Sequence, residues 1–323
     1  MEMKPKIDYL RLSLTDKCNL NCFYCNPLEK KDYLDNNDIL RLEEIVRVVR
    51  VLADLGISKL RLTGGEPLIK ENICTAVSLF KKIDGIEEVS LTTNGVFLFE
   101  MAEALQANGL DRINISLDTL RPKRFEQITG QDCFEHVWKG IEKSIEVGLF
   151  PLKLNMILLK GINEDEIIDF AKLTIKHKID VRFIELFRTS NRLSVQQTGS
   201  LKSSEAKETI VSKYGELFPE GNVVGNGPAE YFKLKEAKGT IGFISNLSKH
   251  FCGACNRLRM DSAGRIAPCL FSGYLYNVKE LIRSGASDEN IRELLKHIIL
   301  DKHKHNKKSA VIDKHIEMSS VGG

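Results

Sequence analysis

The sequence predicts an α/β fold with parallel strands, and three observations carry that reading. Short strand-like runs recur six times between residues 9 and 186, helical segments separate most of them, and the rhythm stops after residue 187. Strands alternating with helices imply parallel pairing through right-handed crossovers. Six units fall short of the eight that close a full barrel. The expectation is therefore a partial (β/α)6 barrel of the TIM type, with a C-terminal α+β region closing its open side. Ligands belong at the C-terminal strand ends.

The strands are expected at YLRLSL (9–14), KLRLT (59–63), VSLTT (89–93), RINISL (112–117), LKLNMIL (152–158) and VRFIEL (181–186). In LRLEEIVRVVRVLADLG, Leu42, Ile45, Val46, Val49 and Leu52 share one helical face, and Gly56 stands where a C-terminal cap belongs. CFEHVWKGIEKSIEVG and NEDEIIDFAKLTIKHK repeat that periodicity. Beyond 187, a polar stretch reads as loop passing into a helix. GPAEYFKLKEAKGTIGFIS reads as a hairpin turning near Lys238 and Gly239. Two helices follow at 276–284 and 287–300, and DKHKHNKK (301–308) reads as a solvated charged loop. The expected division is 1–190 for the barrel and 191–323 for the C-terminal region.

A chain of 323 residues buries about three quarters of its unfolded surface and needs no disulfide to fold. Its opening, MEMKPKIDYL, lacks the apolar core of a signal peptide, and no apolar run approaches a membrane span. A net charge of +3 gives no argument for nucleic acid. The expected setting is the cytoplasm, without a membrane or nucleic-acid partner. In that reducing compartment, clustered cysteines are metal ligands before they are disulfides. Six of the eight are clustered, while Cys74 and Cys133 fall singly in helical patterns and receive no function.

The first cluster, CNLNCFYC, sets Cys18, Cys22 and Cys25 directly after the first strand. Zinc wants a fourth protein ligand, and neither His nor another Cys lies near in sequence. A redox pair of Cys22 and Cys25 leaves Cys18 unexplained. A 4Fe–4S cluster held by three thiolates keeps one iron open for a small molecule.

On this C-x3-C-x2-C spacing, with aromatic Tyr24 before the last cysteine, the chain resembles the radical S-adenosylmethionine (SAM) superfamily. The resemblance implies that SAM binds the open iron and yields a 5′-deoxyadenosyl radical, which the protein positions and shields. LTGGEP (62–67), one βα unit later, adds to it. Gly64 and Gly65 permit close backbone approach, and Pro67 keeps Glu66 extended. The resemblance makes Tyr24, Gly65 and Ser116 contacts of SAM. Phe187 takes the place of a methionine with that role.

The second cluster, FCGACNRLRMDSAGRIAPC, holds Cys252, Cys255 and Cys269. His250 makes Cys3His zinc one reading. The other is a second open 4Fe–4S cluster beside Arg257 and Arg259, suited to a ligand with a donor base and phosphates. FCGACNRLR, PCLF, GPAEYF, YLRLSLTDKCN and a terminal Gly-Gly together resemble the GTP 3′,8-cyclases, which open molybdenum-cofactor biosynthesis. The resemblance implies two 4Fe–4S clusters, with GTP contacted by Arg11, Arg61, Thr92, Lys153 and the triplet Arg257, Leu258 and Arg259. Lys59 and Arg182 extend that basic wall. It further implies that Gly322 and Gly323 insert into the active site. An electron donor such as flavodoxin or ferredoxin, a homodimer and a following enzyme, cyclic pyranopterin monophosphate synthase, complete what it implies.

Two other readings stay open on the sequence. A radical SAM paralogue acting on another nucleotide or a peptide would share the scaffold. A non-catalytic iron–sulfur or zinc sensor would leave GGEP and the arginines without a purpose.

Overall fold

The computed structural model describes residues 6–25, 33–186, 199–221, 223–224, 227–245, 255–270 and 276–305. All six expected βα strands form: β1 (Tyr9–Ser13), β2 (Lys59–Thr63), β3 (Glu88–Thr93), β4 (Arg112–Ser116), β5 (Leu152–Lys160) and β6 (Asp180–Glu185). They pair in parallel and in sequence order. Helices α1 (Leu42–Asp54), α2 (Ile73–Lys81), α3 (Leu98–Ala107), α4 (Pro122–Thr129), α5 (Phe134–Glu146) and α6 (Ile167–Lys176) lie between them. The α1 positions predicted from spacing are buried, except for a half-buried Leu42.

The C-terminal region adds β7 (Gly199–Ser200), α7 (Ser203–Tyr214), β8 (Phe218–Pro219), β9 (Glu230–Lys233) and β10 (Ile241–Ile244). Then come β11 (Arg257–Met260), β12 (Arg265–Ala267), β13 (Tyr276–Asn277), α8 (Val278–Arg283) and α9 (Asp288–His305). The hairpin is β9 against β10, antiparallel. Strands β11 to β13 have no counterpart in the sequence reading. The main sheet runs β13-β12-β11-β1-β2-β3-β4-β5-β6-β10-β9-β8, with β7 pairing β5 off this path. Thus β11 lies parallel to β1 and β10 parallel to β6, so the C-terminal region flanks both edges of the six-stranded core. The sheet passes without a break across the expected boundary near residue 190.

Side chains on a strand alternate between faces. Leu10 and Leu12, Leu60 and Leu62, Ile113 and Ile115 point one way, into a continuous apolar core. Alternate positions along β1 to β6 are polar: Arg11, Arg61, Ser90, Arg112, Lys153 and Arg182. A parallel sheet covered by helices on both faces reads as unbroken apolar runs. This alternation marks the second face as the wall of a polar chamber.

One expectation needs correcting. The charged run from 301 is not a loop at its start, because α9 continues to His305 and Lys302 is only 1% exposed. Its partner belongs to the site.

Candidate active site

The loop after β1 is fastened to the loop after β2 by main-chain bonds, Gly65 N–H to the Thr15 carbonyl at 2.7 Å and Glu66 N–H to that of Lys17 at 2.8 Å. A Cβ on Gly65 would stand 2.1 Å from the Lys17 oxygen, so glycine alone lets GGEP press against the cysteine loop. The far side of that loop is tied to the end of α4, Asn21 N–H to Thr129 O at 2.8 Å and Phe23 N–H to Ile128 O at 3.1 Å. Glu66 is extended, as Pro67 requires. Its buried carboxylate accepts from Thr93 Oγ1 and the Asn94 N–H, each at 2.7 Å, and from the Leu68 N–H at 2.9 Å. Burial pushes its pKa up to about 7 against those donors. Asn94 Nδ2 donates to Asn19 Oδ1 at 2.8 Å and to Cys18 Sγ at 3.8 Å.

Burial pushes the Cys22 thiol well up, and Cys25, Asp118 and Cys18 add to the effect. Three sulfurs that oppose one another's ionisation are a donor set suited to a positively charged iron core. Among the described residues no three His, Cys, Asp or Glu side chains form a group that would hold a single metal ion. The residues present fit a 4Fe–4S cluster on this loop, which gives each thiolate its own iron. The Tyr24 hydroxyl donates to Asp118 Oδ2, and Asp118 Oδ1 accepts from the Ile157 N–H at 2.8 Å. Burial raises Asp118 to about 6. Ser116 sits at the open end of β4, paired with Asn155. Sequence reasoning overlooked Asp118, although it closes the NISLD run that held Ser116.

The chamber wall gathers cations in one row. Arg11 is level with Arg259 on one side and Arg61 on the other. Burial presses the Arg11 pKa well down, and the like charges of Arg259, Arg61 and Arg257 press in the same direction. Arg61 donates to the Tyr9 hydroxyl and, at 3.4 Å, to Thr92 Oγ1. Lys153, the second residue of β5, is level with Asn114, one alternate position nearer the C-terminal strand ends than the arginine row. Its ammonium meets Asp180 Oδ2 at 3.2 Å, and the Val224 carbonyl and Tyr231 hydroxyl at 3.0 Å each. Lys59 pairs with Asp8 at 3.2 Å. Leu258 shares β11 with the two arginines, but its side chain is fully buried in the apolar core.

The second cysteine group lies at the other end of the same wall. Cys18 follows the C-terminal end of β1, whereas Cys255 precedes β11, and the parallel register sets Arg257 beside Tyr9. From that level to Ser13 is four residues, about 13 Å along the strand. The antiparallel β11–β12 pairing carries Cys269, two residues past Ala267, back to the same end as Cys255. Burial raises the Cys255 thiol, but Arg257 and Lys302 outweigh it and bring the pKa down to about 7. Lys302 Nζ donates to Cys255 Sγ at 3.2 Å. A thiol held ready to ionise beside cations fits ligation of a second 4Fe–4S cluster. Cys252, His250, Phe187, Gly322 and Gly323 lie outside the described residues.

A parallel sheet with three thiols at its exit loop and a glycine-built rest beside them defines a radical SAM enzyme. Residues 12–174 match the family model of the radical SAM superfamily, and 179–308 match that of Molybdenum Cofactor Synthesis C. The fold resembles that of Streptococcus suis SuiB bound to S-adenosylmethionine, with a TM-score of 0.62 at 16% identity over 90% of this chain and 68% of that one. GTP 3′,8-cyclase from Pelotomaculum thermopropionicum is 42% identical over 319 residues, covering 98% of each chain. That from Syntrophomonas wolfei is 43% identical over 288 residues, 89% of this chain and 88% of the other. The chain belongs to the GTP 3′,8-cyclase family of radical SAM enzymes.

Proposed function

We propose that this chain converts GTP to 3′,8-cyclo-7,8-dihydro-GTP, the first step of molybdenum-cofactor biosynthesis. The observation that carries the reading is the row of buried and half-buried cations, Arg61, Arg11, Arg259 and Arg257, between two thiol sites on one strand pair. Guanidinium groups that repel one another in a buried wall call for a polyanion, and a triphosphate supplies one. The bound cluster and SAM supply 5′-deoxyadenosyl radical chemistry at the Cys18, Cys22 and Cys25 loop.

The remaining work falls to side chains. Gly65, Ser116, Tyr24 and, by position in the sequence, Phe187 are the SAM contacts on this reading. Asp118 fixes the Tyr24 ring through its hydroxyl. Arg11, Arg61, Thr92, Lys153, Arg257 and Arg259 bind GTP along the wall, with Leu258 contributing backbone. Cys252, Cys255 and Cys269 hold the second cluster, where guanine docks. Apolar packing behind the strands keeps these groups in fixed rotamers. Gly322 and Gly323 enter the site as a tail, and deleting both is expected to abolish turnover while both clusters stay loaded. A flavodoxin or ferredoxin donor, a homodimer and a following cyclic pyranopterin monophosphate synthase belong to the same reading.

The test is anaerobic incubation of the cluster-loaded protein with SAM, a reductant and GTP. The expected result is 5′-deoxyadenosine formed together with consumption of GTP. SAM cleavage indifferent to GTP, yet stimulated by another nucleotide or a peptide, would assign the chain to a different substrate.

A further inference from the structure

Tyr231 stands on β9, two strands outside β6, yet its hydroxyl reaches Lys153 on β5 at 3.0 Å. Gly242 makes this reach. It lies between Tyr231 and Arg182 in the register, and a Cβ there would stand 2.9 Å from Tyr231 Cε1 and 3.1 Å from Arg182 Cγ. The Tyr231 ring therefore crosses β10 toward the chamber. Lys153 Nζ is 4.6 Å from the ring centroid, and Arg182 lies across Gly242 from the same residue in the register. Asn155 Oδ1 holds Arg182 Nε at 2.7 Å, so that cation is fixed on its other side.

A phenol oxygen that accepts from Lys153 still carries a proton of its own. Among the described residues no bond records an acceptor for it. Tyr231 is half-buried, and its hydroxyl proton, beside Lys153 and across Gly242 from Arg182, can be given to an anion that enters the chamber. We propose that Tyr231 is a further substrate-binding residue, whose hydroxyl donates to a phosphate oxygen held between Lys153 and Arg182. Its ligand class is the polyphosphate of a nucleotide, not the base. This rests on the reading above that Lys153 faces the triphosphate.

Binding of GTP and of guanosine to the cluster-loaded protein tests it. Tyr231→Phe keeps the ring and removes the donor. The expected result is GTP affinity about tenfold weaker, the loss of one hydrogen bond to a charged group. Guanosine affinity should stay unchanged. Gly242→Ala, which crowds the ring from its place, should weaken GTP in the same way. Equal losses for GTP and guanosine, or unchanged GTP affinity in Tyr231→Phe, overturn the proposal. Lys153→Met separates this from the wider reading. If that variant binds GTP normally, the wall does not hold the triphosphate. If it loses GTP while Tyr231→Phe does not, the failure belongs to Tyr231 alone.

Discussion

The two cysteine centres are built from the same ligand type and placed in opposite electrostatic settings. Around Cys22, burial, two sister thiols and the Asp118 carboxylate all resist ionisation. Around Cys255, Arg257 and Lys302 favour it and bring the thiol to about 7. None of the charged groups acting on Cys22 is positive, and Cys18, Cys22 and Cys25 would hold the cluster that supplies the radical chemistry. The second faces the row of guanidiniums that would neutralise a nucleotide. Cation placement, more than ligand count, separates their work.

The largest effect should come from removing one thiolate at each centre. Cys22→Ala is expected to stop 5′-deoxyadenosine formation altogether, whereas Cys269→Ala should retain uncoupled SAM cleavage and lose the cyclised product. Product analysis of both variants checks this, and equal loss of SAM cleavage would break the contrast. Next is Gly65→Ala, whose Cβ collides with the Lys17 carbonyl behind the first cysteine loop. Iron analysis should show one cluster per chain in place of two, with the second centre intact. Arg259→Ala should weaken GTP binding by about 1.5–3 kcal/mol, the worth of a hydrogen bond to a charged group. Calorimetry with GTP reads that directly.

The subtlest effect is on thiol titration in the cluster-free, reduced protein. The thiolate is the nucleophile, so alkylation rises as pH passes the pKa. Cys255 should be half-reactive near pH 7. Lys302→Met removes a charge that favours the thiolate, so its profile should move to higher pH. Cys22 should stay unreactive until well above the ordinary thiol range, and Lys302→Met should leave it there. Mapping alkylated peptides against pH separates the two.

Much of this was written in local pattern. The six βα strands, α1 and the hairpin carry periodicity that survives in short windows, as does the spacing of Cys18, Cys22 and Cys25. Glu66 extended before Pro67 was legible for the same reason. What escaped was set by long-range pairing. RLRM at 257–260 looks like a basic patch, and only its register against β1 shows that Arg259 and Leu258 part to opposite faces. Lys302 sits in a run of charges whose neighbours suggest solvent, and nothing local reveals that α9 turns it onto Cys255. Tyr231 was visible only as part of GPAEYF, because its reach depends on a missing side chain at Gly242.

The flanking of β1 by β11 also orders events during synthesis. When residues 9–186 have left the ribosome, β1 still presents an open hydrogen-bonding edge, and it waits for residues 257–260 to cover it. The nascent chain thus holds its first three thiols long before the arginine-bearing strand arrives beside them. A product truncated before β11 would leave that edge uncovered and lack the Arg257 and Arg259 side of the wall.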